Sequence, residues 1–168
     1  MITVTVTTKG GIFEGQPQAI VQQALHGCIY EATMFLERKV KLIVTNEAQG
    51  VGGAKGGLLS TIHGEVTGKG TPLIKGVVAH GKGAYGDVVE KGRPAGKMPP
   101  EGVLVRWIEV KLGVDSTTAQ RLEFVIRRKI GRKGFPGVHM FERAVSENQT
   151  KLQAIFDRAG FDIAVQLS

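Results

Sequence analysis

The stretch nearest to nucleotide chemistry is Gly76-Val-Val-Ala-His-Gly81-Lys82-Gly83, where glycines ahead of a lysine would let backbone N–H groups surround a phosphate. It fails at its last position. A Walker A loop carries serine or threonine there to hold magnesium, this chain carries Gly83, and no helix is expected to follow and aim its dipole at the phosphate. A strand running out into a loop is the expected structure. His26, His63, His80 and His139 share no zinc-site spacing with one another, with cysteine or with an acid, so neither a metal nor another cofactor is expected. Ser60, Ser116, Ser146 and Ser168 lie outside any Gly-x-Ser-x-Gly elbow, and the 15 acids offer no pair whose spacing marks acid and base roles. No enzyme activity is expected. The lone cysteine, Cys28, has no partner within the chain and falls in an apolar stripe, where a thiol behaves as a small hydrophobe.

The elements that would carry these residues follow from periodicity. Ile2, Val4 and Val6 alternate with threonines, the period of a half-buried strand. Pro17 fits the first turn of a helix, and Ile20, Val21, Ala24, Leu25, Cys28, Ile29, Ala32, Phe35, Leu36 and Val40 recur at three- and four-residue steps behind it. Gly27 inside that stripe costs about 1 kcal/mol against alanine and is expected where another backbone comes close. From Asn46 to Gly70 glycine dominates, which predicts a mobile loop or extended excursion, broken by one helical turn at Leu58 to Ile62. Pro72 to His80 reads as a strand. Pro99 and Pro100 open a helix over Glu101 to Leu112, with Val103, Leu104, Trp107, Ile108 and Leu112 on one side and Gly113 as its stop. Asp115 or Ser116 caps the next helix, Ser116 to Ile130, through Leu122, Val125, Ile126 and Ile130. Val138 to Arg158 forms a third helical segment, and Phe161, Ile163, Val165 and Leu167 alternate as a closing strand, expected to pair with the first strand or across subunits. The fold class is α+β, a small mixed or antiparallel sheet packed with a long N-terminal helix and further helices, as one domain over 1–168 with no linker.

Length and charge set the outer bounds. A chain of 168 residues with 42% hydrophobic and 22% charged residues is long enough for a working core and has no apolar run of membrane-spanning length, and its opening MITVTVTTKGG, which alternates polar and apolar, is not expected to act as a secretory signal. No membrane partner is expected. From Lys91 to Lys133 there are 11 Lys and Arg against 4 acids, so this segment holds the entire net charge of +7. Its densest cluster is Arg127, Arg128, Lys129, Arg132 and Lys133. Cations at a helix C-terminus are favoured by the macrodipole, and a solvated basic face aids solubility; contact with phosphate or an acidic partner is the functional alternative.

The ordered series Tyr85, Val89-Glu90-x-Gly92, then Gly134-x-Pro136-Gly137 with Phe141 and Ala144, behind a Gly56-x-Leu58-x-x-Thr61-Ile62 element, resembles one family. It is similar to the head–tail joining, or tail-completion, proteins of long-tailed bacteriophages, over about Gln16 to Ala144. The chain departs from the pattern by inserting the two helices of Glu101–Leu112 and Ser116–Ile130 between the Val-Glu-x-Gly turn and the late proline motif.

The resemblance implies a structural virion protein of the neck, one of six copies in a ring between the head-side connector and the tail terminator or tail tube. Genome DNA would pass through the ring's channel without sequence readout. In such a ring each subunit offers two different surfaces, one to each neighbour. The glycine-rich arm, Gln49 to Gly70, is expected to stay mobile in the free subunit and order on assembly, with Gly50, Val51, Gly52, Gly53, Lys55, Leu58, Leu59 and Ile62 as contact candidates. Two alternatives remain: a tail terminator ring of the same virion, and a basic, sequence-independent DNA-binding module using Lys91 to Lys133.

Overall fold

The computed structural model describes residues 1–7, 16–47, 57–81 and 84–167. The chain is α+β, with small antiparallel sheets and a long N-terminal helix. It gathers into two compact units, one of residues 1–40, 62–80 and 141–168 and the other of 41–61 and 81–140.

In the first unit β1 (Ile2–Thr7), β2 (His63–Thr67) and β3 (Leu73–Ala79) form an antiparallel sheet in the order β1-β3-β2. The predicted alternation holds in β1, where Ile2, Val4 and Val6 are half-buried and the threonines exposed. Helix α1 (Gln16–Glu47) contributes its residues up to Val40 to this unit, and its Cys28, Ile29 and Ala32 share one core with Ile74 of β3. Two glycines let the sheet approach the helix closely. A Cβ at Gly76 would stand 2.1 Å from Thr33 Oγ1, and one at Gly64 would stand 2.8 Å from Met34 Cε, so a side chain at either would push the layers apart. Thr33 is buried and donates to the Ile29 carbonyl at 2.7 Å, and the Gly64 N–H donates to Glu37 Oε2 at 2.8 Å. The Walker-like stretch therefore begins inside a paired strand, where Gly76 serves helix packing. A helix does follow it, α3 (Ala84–Lys91), contrary to expectation. The strand leaves Gly76 to Ala79 no freedom to curl around a phosphate.

Three further expectations are overturned in this unit. Residues 63–67, assigned to a mobile arm, form β2 and pair in register with β3 from His63↔Ala79 to Thr67↔Lys75. The C-terminal residues form no strand. Helix α7 runs Gln149–Leu167, because Ile155, Ala159 and Ile163 turn inward at four-residue spacing, and that helical period prevails over the local alternation of Phe161, Ile163, Val165 and Leu167. The single segment expected over Val138 to Arg158 is divided into α6 (Met140–Ser146) and α7. At the break the Asn148 N–H donates to Val145 O at 3.1 Å and its side-chain amide to Ala144 O at 3.0 Å.

The second unit contains α2 (Leu58–Thr61), α3, α4 (Val105–Leu112) and α5 (Ser116–Lys133). Two short strands, β4 (Gly92–Arg93) and β5 (Phe135–Pro136), pair antiparallel. Leu104, Ile108 and Ala119 form its core, flanked by Trp107, Leu122, Ile126 and Ile130. Helix α4 ends as predicted at Gly113, which adopts φ 65°, and Asp115 caps α5 by accepting from Thr118 N at 2.8 Å. Residues 101–104 are turn and not helix. There the buried Glu123 carboxylate of α5 accepts from Gly102 N and Leu104 N, each at 3.0 Å, and holds the chain ahead of α4.

Candidate assembly interface

The segments on either side of α4 and α5 meet in space. Gly92 pairs with Pro136 and Arg93 with Phe135, and the ladder continues as Val138 N–H donates to Val89 O at 2.8 Å and His139 N–H to Glu90 O at 3.0 Å. This is a clamp at the root of the α4–α5 segment. Its glycines are fixed by geometry: Gly92 adopts φ 73°, and a Cβ at Gly137 would stand 2.3 Å from Glu90 O. His139 holds φ 53°, a left-handed conformation uncommon outside glycine, where the chain leaves the clamp. Glu90, Gly92, Pro136 and Gly137 thus form one element. Tyr85 lies nearby in sequence, on α3, whereas Phe141 is buried in the first unit with its ring 6.1 Å from that of His80.

Above the clamp, α4 and α5 form a helical hairpin whose outer surface carries the charge. Arg127 is spent internally, its Nε donating to Pro99 O at 2.8 Å and its Nη1 lying 3.7 Å from Glu101. The other four members of the basic cluster, Arg128, Lys129, Arg132 and Lys133, are exposed, and among the described residues none of them is ion-paired. At about 100° per residue, Arg121, Phe124, Val125, Arg128, Lys129 and Arg132 share an arc of roughly 140° on α5. The only acid of α5, Glu123, faces inward.

Val125, expected in the core stripe, is 61% exposed, and Phe124 is 54% exposed beside it. Leu122, Ile126 and Ile130 already fill the inner face, so Val125 matches their spacing only by chance and Phe124 falls outside it. Drawing the arginines at 121, 128 and 132 on the same wheel would have located the pair. The result is a cationic face with an apolar centre, the composition of a surface that meets another macromolecule.

The remaining candidates divide. Gly50, Val51, Gly52, Gly53 and Lys55 lie outside the described residues. Leu58 and Ile62 are buried and Leu59 half-buried, so Leu58 and Ile62 are interior residues and not open contact positions.

In the first unit a cleft of about 370 Å³ runs between α1 and α7, lined by Gly27, Cys28, Glu31, Arg158, Asp162 and Gln166 among others. Arg158 donates to Glu31 across it. Burial, with the Glu31 charge second and opposed by Arg158, pushes the Cys28 thiol up to about 11, so Cys28 is an inert core thiol. No backbone approaches Gly27, where a Cβ would meet nothing within 4 Å, contrary to the expected close contact. Among the described residues no cluster of three His, Cys, Asp or Glu has the placement of a metal site, and no helix is long and apolar enough to cross a membrane. No protein-family model, no curated protein and no solved structure matches this chain.

Proposed function

We propose that this chain is a structural subunit of a tailed-phage virion, one of six copies in a neck ring that joins the head-side connector to the tail terminator or tail tube. The observation that carries the reading is the clamp. Val89-Glu90-x-Gly92 and Gly134-x-Pro136-Gly137 are separated by two inserted helices in sequence, yet occupy one antiparallel element. An insertion rooted at such a clamp leaves the surrounding motif series intact, which is what a family pattern with an added hairpin requires. The work of the protein is then to present matched surfaces to its neighbours while DNA passes through the ring. The cationic face of α5 also favours a second reading, a sequence-independent DNA-binding module, for which log K should fall with log salt in proportion to the phosphates contacted.

The deciding experiment removes the gene from the phage that carries it. Lysates should then contain filled heads and complete tails that stay apart, and supplying the chain in trans should join them. Particles that assemble and infect normally without the chain would end the proposal.

A further inference from the structure

The α5 face has a counterpart on the same chain. On α7, Asp157, Phe161 and Val165 stand at i, i+4 and i+8 and form one ridge; Asp157 accepts from Gln153 Nε2 at 2.7 Å on the same helix, and Asp162 lies about 60° from Val165 toward the α1–α7 cleft. Phe161 is 68% and Val165 58% exposed, and both aspartates are exposed. The nearby cation, Arg158, is engaged by Glu31. One end of α7 is thus apolar with an acidic rim, where α5 is apolar with a basic rim.

From this the geometry points to a head-to-tail contact in which α5 of one copy packs antiparallel against α7 of a second copy of this chain. This rests on the ring reading above and names the two surfaces that would join its subunits. The spacing selects the direction. On α5 the bases Arg128 and Arg132 lie on the C-terminal side of Phe124 and Val125, and on α7 Asp157 lies on the N-terminal side of Phe161 and Val165. Superposing the two apolar pairs in antiparallel sense sets Asp157, about 9 Å along its helix from the pair, between Arg128 and Arg132 at the same distance on the other. A parallel arrangement would set it near Thr118 with Arg121 alone about 4 Å away along the axis, so the antiparallel sense gives Asp157 two cationic neighbours and the parallel sense one. Ridges of four-residue period on both helices also suit close packing. Because the two surfaces differ, each contact leaves an α5 and an α7 free for further copies, and the series closes into a ring when the rotation per subunit permits. An acidic rim around Phe161 and Val165 matches this face better than a phosphate backbone does, since phosphates would leave Phe124 and Val125 uncovered.

Charge exchange on the full chain tests this. One variant carries Arg128→Glu and Arg132→Glu, the other Asp157→Lys and Asp162→Lys; all four positions are exposed, and circular dichroism checks that each variant keeps its helices. Sedimentation of the parent from micromolar to millimolar concentration at low salt should show association that weakens as salt is added. Each variant alone should associate about tenfold or more weakly, because like charges then face each other, and an equimolar mixture should recover it. Phe161→Ser should weaken association without loss of fold. A parent that stays monomeric, variants that associate as the parent does, or a mixture that recovers nothing would each overturn the contact. So would an α5 variant that loses duplex DNA binding while its self-association is unchanged. If the exchanges have no effect yet heads and tails still fail to join without the chain, this contact is wrong and the neck reading stands. If heads and tails join without the chain, the neck reading falls.

Discussion

Replacing Gly137 with alanine sets a methyl group 2.3 Å from Glu90 O, 2.6 Å from the Lys91 carbonyl carbon and 2.8 Å from Gly92 N. All three are backbone atoms, so no side chain can swing aside and the clamp must open. The bonds at risk are Val138 N–H to Val89 O and His139 N–H to Glu90 O, at 2.8 and 3.0 Å. At a net ~1 kcal/mol each they total roughly 2 kcal/mol, and the reduced freedom of the unfolded chain returns about 0.4–1 kcal/mol. Gly137→Ala should therefore destabilise by about 1–2 kcal/mol, a fall in Tm of roughly 2–8 °C. Amide hydrogen exchange read by NMR should show protection lost first at Val138 and His139, with the α4–α5 core amides less affected. Retained protection at both amides together with an unmoved or raised Tm would refute the view that this clamp roots the hairpin.

Gly27→Ala should act in the opposite direction, stabilising by up to about 1 kcal/mol in denaturant unfolding, because its Cβ meets open space on a helix where glycine is costly; a destabilised variant would show that something fills the cleft beside it. Glu123→Leu should destabilise by roughly 2–5 kcal/mol by stranding the N–H groups of Gly102 and Leu104, while Glu123→Gln, which keeps an acceptor, should cost less; equal unfolding midpoints for the two would contradict the capping role. Burial raises the Cys28 thiol from 9.0 to about 11, so its stabilising contribution, on the order of 2–3 kcal/mol, is complete below pH 9 and is lost as pH rises through 11. Cys28→Ala should flatten that part of the stability profile relative to the parent, and identical alkaline profiles would contradict it.

What could be read from the sequence was what local signals control. The ten apolar positions of α1 recur over more than five turns, Gly113 stops α4 by adopting a left-handed conformation, and Asp115 caps α5 through a neighbour three residues on. Together with the alternation of Ile2, Val4 and Val6 in β1, those helices give the α+β class. What escaped depends on distant partners. β2 has a composition that reads as loop, and it is a strand because β3 supplies its ladder and Gly64 lets it lie close to Met34 and Glu37 of α1. Each strand of the clamp is two residues long and has no periodicity to read, so only the pairing of Gly92 with Pro136 discloses it. The motif positions form an ordered series in the sequence, and only the fold makes them neighbours. The same holds for the α5 face: Arg128, Lys129 and Arg132 stand out in the sequence as part of a charge cluster, whereas the outward turn of Phe124 and Val125 is decided by how Leu122, Ile126 and Ile130 pack inward.

An image of the neck of the intact particle at side-chain resolution should show a closed ring of this chain between connector and tail, with the channel open along its axis and α5 of each copy lying against α7 of the next. A neck containing no copy of this chain would contradict that expectation.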